Sequence, residues 1–474
     1  MQTKNFYTPP PVELDIDSAG FEGVCISRLD DKVVFTKYTV PGDRVLAVIQ
    51  KNRKRFFEAK VEKILVESPD RVTPPCRYFG TCGGCSWQNM TYEKQLEWKS
   101  VNVRDVFQRI GKIDTDFKPI IGAEMEYGYR NKMEFSFGAS RWLTEEEINS
   151  GLPIEDKNFA FGLHLPGRYD KIIDIKSCDL QQSYANEILN AVRLYAGDFK
   201  LSAYNVRSHE GFLRGLIIRH SKLNDEFLTI MITQNPKTED ENKFVEWYKN
   251  EFSTMFTKVS TAVYAINESG NPVDISGFEI VKGDGFIKES ILGIEYKISP
   301  FSFFQTNSYQ LDKFIGLIID AANLNSQQTV WDLYCGTGSI ALPASKFSKK
   351  VIGIEIVDSS IKDAKENAGL NGIDNVEFIT ADLHHKRLPG LLNSLDRPDV
   401  VITDPPRAGM SPNLINHLLD IAPGRIVYVS CNPATQARDC ALLSEKYQVL
   451  SVQPVDMFPQ TYHIECVAVL QKRD

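Results

Sequence analysis

The sequence predicts a multidomain protein in three parts: a small N-terminal β-barrel, a central mixed α+β domain rich in strands, and a C-terminal α/β domain on a parallel sheet covered on both faces. Three observations predict it. Residues 12–66 alternate in the strand manner between Asp, Gly and Pro turns; residues 125–290 are mostly strand-like, with helical stretches near 179–196 and 241–252; and from about residue 329 strands alternate with helices. The expected divisions are 1–67, 68–290 and 291–474. At 474 residues the chain is too long for one ordinary core, and 42% hydrophobic with 24% charged residues is a soluble globular balance.

Several classes are disfavoured at once. The N-terminal stretch has neither an apolar leader core nor an Arg-rich amphipathic pattern, and no run of about 18 apolar residues occurs, so a cytoplasmic protein without a membrane role is expected. Nine cysteines argue against a disulfide framework and for metal binding, catalysis or burial. The net charge of -8 weighs mildly against nucleic acid, although a local basic groove can sit on an acidic protein.

In the barrel, "KNRKRFF" (residues 51–57) mixes cations with aromatics. That suits a groove tracking a single strand, with Lys54 and Arg55 on the phosphates, as in oligonucleotide-binding barrels. A solvated hairpin turn is the alternative.

The next stretch, "PPCRYFGTCGGCSW", carries Cys76, Cys82 and Cys85, with Gly80, Gly83 and Gly84 permitting tight turns around a ligand. Cys178, in a turn after a strand expected at 171–175, is the candidate fourth thiol. Four cysteines without histidine fit a structural zinc or an iron–sulfur cluster. Three ligands from one loop and one from far away favour the cluster. Unrelated buried thiols are the bland alternative. A helix follows Thr91, with Tyr92, Leu96, Val103, Phe107 and Ile110 on one face. Arg130, Lys132 and Arg219 in the central region are either RNA contacts or a solvated strand face.

Strands are expected at about 329–334, 351–355, 376–380, 399–403 and 425–430, then an antiparallel pair at 447–453 and 461–470. Such a sheet binds its ligand at the carboxyl ends of its strands. The loop "DLYCGTGSIA" places Gly336-x-Gly338 after the first strand, and Glu355 ends the second, where a ribose-binding carboxylate belongs. A nicotinamide dehydrogenase and an S-adenosylmethionine methyltransferase both fit that loop. Asp332, Asp382, the corner Asp404-Pro405-Pro406 and the antiparallel finish favour the methyltransferase.

Arg407 stands where amino-group methylases with a similar corner carry an aromatic residue, which turns attention to carbon methylation. C5 of uracil becomes nucleophilic only after something adds to C6. A thiolate suits that addition, being strongly nucleophilic and able to leave again. Cys431 follows the fifth strand at the same sheet edge, and Glu465 in "HIECVAVL" is a carboxylate among apolar residues able to remove the C5 proton. A buried core thiol and an edge-strand glutamate are the alternatives.

"CRYFGTCGGCSWQNMTYEKQLEWK", "FSFFQTNSYQ", "DLYCGTGSIALPAS", "TDPPRAGM", "VSCNPAT" and "HIECVAVL" together resemble the RNA uracil-5 methyltransferases, most closely the 23S ribosomal RNA branch that carries an iron–sulfur cluster. The resemblance implies an N-terminal TRAM domain of OB type, a central domain holding a [4Fe-4S] cluster on Cys76, Cys82, Cys85 and Cys178, and a C-terminal Rossmann-like methyltransferase domain. It implies Cys431 as nucleophile and Glu465 as base. It further implies Gln305, Tyr334, Gly336, Glu355 and Asp404 on S-adenosylmethionine, Asp382 near its adenine, and Phe303 approaching a flipped uracil. The partner would be RNA; no obligate protein partner is inferred. The chain departs from the family at Ser339, where many members have Asn, and in the opening "DSAGFEGVCISR", a degenerate form of a glycine-rich stretch. The rivals are the same chemistry on transfer RNA or another ribosomal uridine, and an RNA-binding protein with a redox-sensing cluster and no turnover.

Overall fold

A computed structural model of the chain describes residues 10–153, 157–271, 274–385 and 388–474. Residues 1–9, where the sequence shows no leader pattern, lie outside the described residues. Among the described residues no helix is long and apolar enough to cross a membrane.

The N-terminal sheet runs in the order Val12–Asp15, Arg44–Asn52, Phe56–Val66, Lys32–Lys37, Val24–Leu29, Ser18–Ala19. Its two edge strands belong to one stretch of chain. Ile16 N donates to Asp43 O at 2.9 Å and Asp17 N to Ile26 O at 2.8 Å, so residues 12–19 pass from one edge to the other and the sheet closes on itself. Closure leaves no open edge, and the inward side chains Leu14, Val34, Val45 and Ala47 fill the interior. Trp87 and Met90, from just after the cysteine loop, complete that core.

The central sheet has eight strands, in the order Gly277–Lys282, Val259–Ile266, Glu226–Thr233, Leu213–Ser221, Lys132–Gly138, Ala160–Leu165, Arg168–Asp174, Arg141–Trp142. Helix Ser183–Asp198 lays Ile188, Leu189 and Val192 on one face of it, beside Phe244 and Trp247 of helix Glu239–Trp247. Thr238 opens the latter helix as a capping box, its side chain accepting from Glu241 N while Glu241 reaches back. The hairpin Ile287–Ile291 with Ile294–Ile298 then spans the division expected at 290/291.

The C-terminal sheet runs Val376–Thr380, Lys350–Glu355, Thr329–Leu333, Val400–Thr403, Arg425–Ser430, Glu465–Lys472, Tyr447–Val455, Asp116–Phe117. The first five are parallel, and Glu465–Lys472 inserts antiparallel beside the fifth. Apolar residues alternate across it. Val330, Val351, Val400 and Val427 face helices Ser308–Ala322 and Asp358–Leu370, while Trp331, Ile352, Val401 and Tyr428 face helices Pro412–Ile421 and Pro433–Leu443. That second cover is completed by a helix from outside the C-terminal part. Helix Tyr92–Val106 contributes Val103 and Val106, and the following turn Phe107, to the same core. Its buried face is Gln95, Lys99, Val103 and Val106, whereas Ile110, expected on the apolar face, is 51% exposed. The widened π turn at Phe107–Gly111 rotates Ile110 off the stripe. The last strand begins at Glu465 rather than near 461, because residues 456–464 are committed to contacts described below.

Candidate active site

Five carboxyl ends stand in a row along one edge of the C-terminal sheet. In spatial order they present Asp382, Glu355, Tyr334 with Gly336, Asp404 and Cys431. Strands lie about 4.8 Å apart, so the step from Glu355 to Cys431 covers three spacings, roughly 14 Å. A ligand bound by its ribose at one end can therefore present a reactive group at the other.

The glycine loop makes the first end. Tyr334, Gly336 and Gly338 have φ of 65°, 53° and 85°, the left-handed region that favours glycine. A Cβ on Gly338 would stand 3.1 Å from Phe378 and 3.2 Å from Leu342, so the loop packs directly on the sheet cover. Glu355 braces the loop and its own turn: Oε2 accepts from Gly336 N at 3.3 Å, and Oε1 from Ile356 N and Val357 N at 2.8 and 3.0 Å. Asp382 Oδ1 accepts from His384 N at 2.8 Å, and the His384 ring meets the Tyr334 hydroxyl at 3.3 Å. Gln305 is fixed through its backbone, its carbonyl accepting from Asn131 Nδ2 at 2.9 Å. Phe303 projects outward, 65% exposed.

At the other end, register brings the two proposed reacting groups together. Ser430 pairs with Cys466, which sets Cys431, the next residue, across from Glu465. Cys431 also stands just before helix Pro433–Leu443, whose cap is Asn432. Burial pushes the Cys431 thiol up to about 11, and the carboxylates of Glu465 and Asp404 push the same way; the charge of Arg407 and its hydrogen bond to the thiol oppose them. The helix N-terminus adds a further pull toward thiolate. Glu465 is 5% exposed, and burial, then the charge of Asp404, holds its carboxyl well above the usual range. Burial likewise raises Asp404 to about 6. A carboxyl held up in this way is a better proton acceptor once ionised.

Arg407 is central to the site, yet the sequence reading used it only as a missing aromatic. It bonds the Cys431 thiol, and its Nη2 donates to His463 Nδ1 at 3.3 Å. Its carbonyl is held by Asn432 Nδ2 at 2.9 Å and Thr435 Oγ1 at 3.1 Å. Gly409 follows with φ 80°, where a Cβ would stand 2.5 Å from Asp439 Oδ2, so only glycine fits the return of this loop. His463 was missed as well. The available signal was its place two residues before Glu465.

Arg219 is not a nucleic-acid contact. It is buried at 3% exposure, its Nε donating to Pro300 O at 3.1 Å and its Nη2 to Ser302 O. Its work is to hold the segment leading to Phe303 and Gln305. Lys54 and Arg55 sit exposed on the barrel turn. Neither lines the large cleft of roughly 1440 Å³ between the closed sheet, the cysteine loop and the central sheet. Its walls carry Lys37, Lys60 and Lys176 with Tyr38, Phe79 and Trp142, interspersed with Glu22, Glu58, Glu147 and Asp174, and it reaches Asn432, the residue after Cys431, and Ala434.

Cys76, Cys82, Cys85 and Cys178 come close enough that Cys85 feels the charge of all three others, and Cys178 that of Cys82 and Cys76. Cys178 N donates to Asn186 Oδ1 at 2.9 Å and Cys76 N to Gln88 Oε1 at 3.3 Å, so side chains fix both ends of the set. Among the described residues, no group of three or more histidine, cysteine or carboxylate side chains stands in an arrangement that would hold a metal ion. The four thiols are neighbours without being drawn to ligand positions.

The sheet order, with an antiparallel strand inserted beside the fifth parallel one, and the glycine loop facing Glu355 define an S-adenosylmethionine-dependent methyltransferase. A model of the tRNA (Uracil-5-)-methyltransferase family matches residues 290–473. An uncharacterized RNA methyltransferase of Bacteroides thetaiotaomicron is 41% identical over 456 residues, 95% of this chain and 99% of that one. Another, of Chlorobaculum tepidum, is 37% identical over 478 residues, 98% of this chain and 96% of that one. Among solved structures, the Pyrococcus abyssi tRNA (uracil-54, C5)-methyltransferase in complex with S-adenosyl-L-homocysteine is similar with TM-score 0.72 and 27% identity, covering 97% of this chain and 100% of that chain. The chain belongs to the RNA uracil-5-methyltransferase family, and it is an S-adenosylmethionine-dependent RNA methyltransferase.

Proposed function

We propose that the protein methylates C5 of a uridine in 23S ribosomal RNA through a covalent bond between Cys431 and C6. The observation that carries this reading is the register that sets Cys431 across from Glu465, with Arg407 against the thiol. A uridine stacked in a strand hides C6, so the base must be extruded into the cleft. Its flanking strand would lie along the 1440 Å³ cleft, where Lys37, Lys60 and Lys176 offer cations and Tyr38, Phe79 and Trp142 stacking surfaces, with Lys54 and Arg55 on its outer course and Phe303 against the flipped base.

S-adenosylmethionine supplies an electrophilic methyl group, and the residues at the sheet edge suit it. Glu355 would offer a carboxylate to the ribose and Asp382 would take the adenine side, with Gly336, Tyr334, Gln305 and Asp404 holding the remainder; Asp382, Glu355, Tyr334, Gly336 and Asp404 share one sheet edge. Arg407 favours the Cys431 thiolate, which adds to C6 as the C5–C6 π pair moves toward C5 and O4. C5 then takes the methyl group of S-adenosylmethionine, the S–CH3 bond breaking with its electron pair left on sulfur, so that S-adenosylhomocysteine is the leaving group. Glu465 accepts the C5 proton, the C5–C6 double bond re-forms, and the C6–S bond breaks to return the thiolate. All atoms and electrons balance without a redox step.

The all-thiol set Cys76, Cys82, Cys85 and Cys178 suits a [4Fe-4S] cluster in its donor chemistry, three ligands coming from one glycine-rich loop. In this reading the cluster orders the region between the barrel and the central sheet. The reading treats 1–67 as a TRAM barrel, 68–290 as the cluster-bearing domain and 291–474 as the methyltransferase domain, in a cytoplasmic setting where thiols stay reduced.

A second reading keeps the chemistry and changes the substrate to transfer RNA. The description of the matching family model and the Pyrococcus abyssi enzyme both name tRNA. The experiment is methylation, by anaerobically purified protein, of total RNA from cells lacking its gene, with labelled S-adenosylmethionine and mapping of the labelled nucleotide. Label as 5-methyluridine in large-subunit ribosomal RNA supports the first reading. Label in transfer RNA selects the second, and label on another atom rejects the Cys431 mechanism.

A further inference from the structure

The segment Asp456–Ile464, which delivers His463 and Glu465 to the site, is held mainly by residues of the cysteine-loop region, more than three hundred positions earlier in the chain. Gln460 is the point of greatest contact. Its backbone N donates to Gln95 Oε1 at 2.9 Å, and its carbonyl accepts from Ser86 N at 3.0 Å and Trp87 N at 3.1 Å. Its side-chain Oε1 accepts from Gln95 Nε2 at 2.9 Å, and its Nε2 donates to Glu126 Oε2 at 3.2 Å. Every polar group of Gln460 is thereby engaged by residues 86–126. Gln95 in turn binds the end of the cysteine loop, Nε2 donating to Trp87 O at 3.0 Å and Met90 O at 2.9 Å. Both glutamines are buried, at 0% and 2% exposure.

The backbone of Gln460 has φ 68°, a conformation that a residue with a side chain keeps only while its surroundings hold it there. Ser86, one of those holders, is the residue after Cys85. The loop from Cys76 to Cys85 has a thin apolar anchorage, chiefly Tyr78 against Ile173 and Ile175. Phe79 meets Tyr38 edge-on at 5.3 Å and the Tyr78 hydroxyl accepts from Lys176 N at 3.0 Å, and the chain between Cys82 and Ser86 is tied down chiefly by its thiols' neighbours.

We propose that Gln95 and Gln460 form a lock by which the cysteine loop sets the position of His463 and Glu465. When the four thiols are held together, Ser86 and Trp87 present their amides to Gln460, and the segment stays in register with Arg407 and Cys431. When the thiols separate, Ser86, which directly follows Cys85, withdraws its amide while Trp87 stays in the barrel core, Gln460 loses one of its holders and relaxes from its left-handed state, and the proton acceptor shifts from the site. This inference rests on the proposed roles of the thiols and of Glu465. Gln95 and Gln460 are positioning residues in it.

The test is hydrogen–deuterium exchange on the full chain, comparing the parent with Cys85→Ser, Gln95→Leu and the double variant, alongside kcat and KM for RNA. Peptides within 456–464 should exchange on the order of tenfold faster in each single variant. The double variant should be no faster than either, helix Asp358–Leu370 should be unchanged, and kcat should fall while KM holds. Unchanged exchange at 456–464 in Cys85→Ser, or rates that multiply in the double variant, would overturn the lock. If Cys85→Ser loses protection in Asp358–Leu370 as well, the comparison is repeated with Cys178→Ser, which lies outside the loop and leaves Ser86 and its neighbours untouched. Linked exchange in a parent that methylates nothing would keep the lock and reject the proposed function; methyl transfer without linked exchange would reject the lock alone.

Discussion

Arg407 and His463 meet across 3.3 Å, Nη2 to Nδ1, and so join the loop after one strand of the catalytic sheet to the segment before another. The guanidinium can only donate, so the imidazole must accept at Nδ1 and be neutral there. Burial, followed by the charge of Arg407, holds His463 down to about 4. The ring therefore stays neutral at neutral pH, where it faces Arg407 beside Cys431.

The pH dependence of stability follows with a definite sign. A histidine whose value falls from 6.5 to about 4 on folding contributes stability that is complete above 6.5 and lost as pH falls toward 4. In urea melts at a series of pH values, His463→Asn should flatten the acid limb between those limits while keeping an acceptor for Arg407.

Cys431→Ala should abolish methyl transfer, by at least about 10⁴-fold, on the scale of removing an enzyme nucleophile. Binding of S-adenosylmethionine by calorimetry should stay within about twofold, since Cys431 lies some three strand spacings from Glu355. Turnover retained in this variant would remove Cys431 from the mechanism.

Glu465→Gln should permit addition and methyl transfer but not proton removal, leaving a protein–RNA species that survives denaturing gels. The same variant should be more stable than the parent at neutral pH. A carboxyl raised by burial costs stability increasingly as pH climbs from its unfolded value near 4.5 toward its folded one, and by a constant amount above that, whereas glutamine carries no such charge. Release of methylated RNA at the parent rate would exclude Glu465 as the base.

Reactivity of Cys431 toward iodoacetamide should rise with pH toward the free-protein value of about 11. In Arg407→Ala the profile should move to higher pH, because the opposing cation is gone while Glu465 and Asp404 remain. A profile that stays in place would show that Arg407 does not tune the thiol.

Lys99 and Asp456 form an ion pair at 2.8 Å with both side chains fully buried, and Tyr92 OH adds a bond to Asp456 at 3.1 Å. Lys99→Met should cost about 3–5 kcal/mol in denaturant unfolding, the usual penalty for leaving a buried charge unpaired. Lys99→Met with Asp456→Leu should recover much of it.

How much of this was legible in sequence depends on what kind of residue carried the signal. The five parallel strands were readable because Val330, Val351, Val400 and Val427 sit in short apolar runs bounded by Gly, Asp and Pro. The places of Glu355, Asp404 and Cys431 along one sheet edge were readable because the first ends its strand and the other two directly follow theirs. Helix Tyr92–Val106 could be found but its partner could not, since its buried face carries Gln95 and Lys99, which an apolar periodicity leaves on the outside. Arg219 gave the opposite error: a basic strand residue looks solvated until its carbonyl partners at Pro300 and Ser302 are seen. Arg407 and His463 act through each other, and that pairing is a property of two strand ends rather than of either motif.

The short strand Asp116–Phe117 lies parallel to Ser451–Val452 on the outermost edge of the catalytic sheet, and Ile121 bridges to Val455. Without that cover, strand Tyr447–Val455 would present a row of bare amides and carbonyls, the template on which chains pair with one another. A fragment starting at residue 291 would bare that edge and also strip Asp456 of its lysine. The catalytic part therefore carries its own protection against fibre-like association on a segment encoded far upstream, and truncations meant to isolate it should be judged first by their tendency to self-associate.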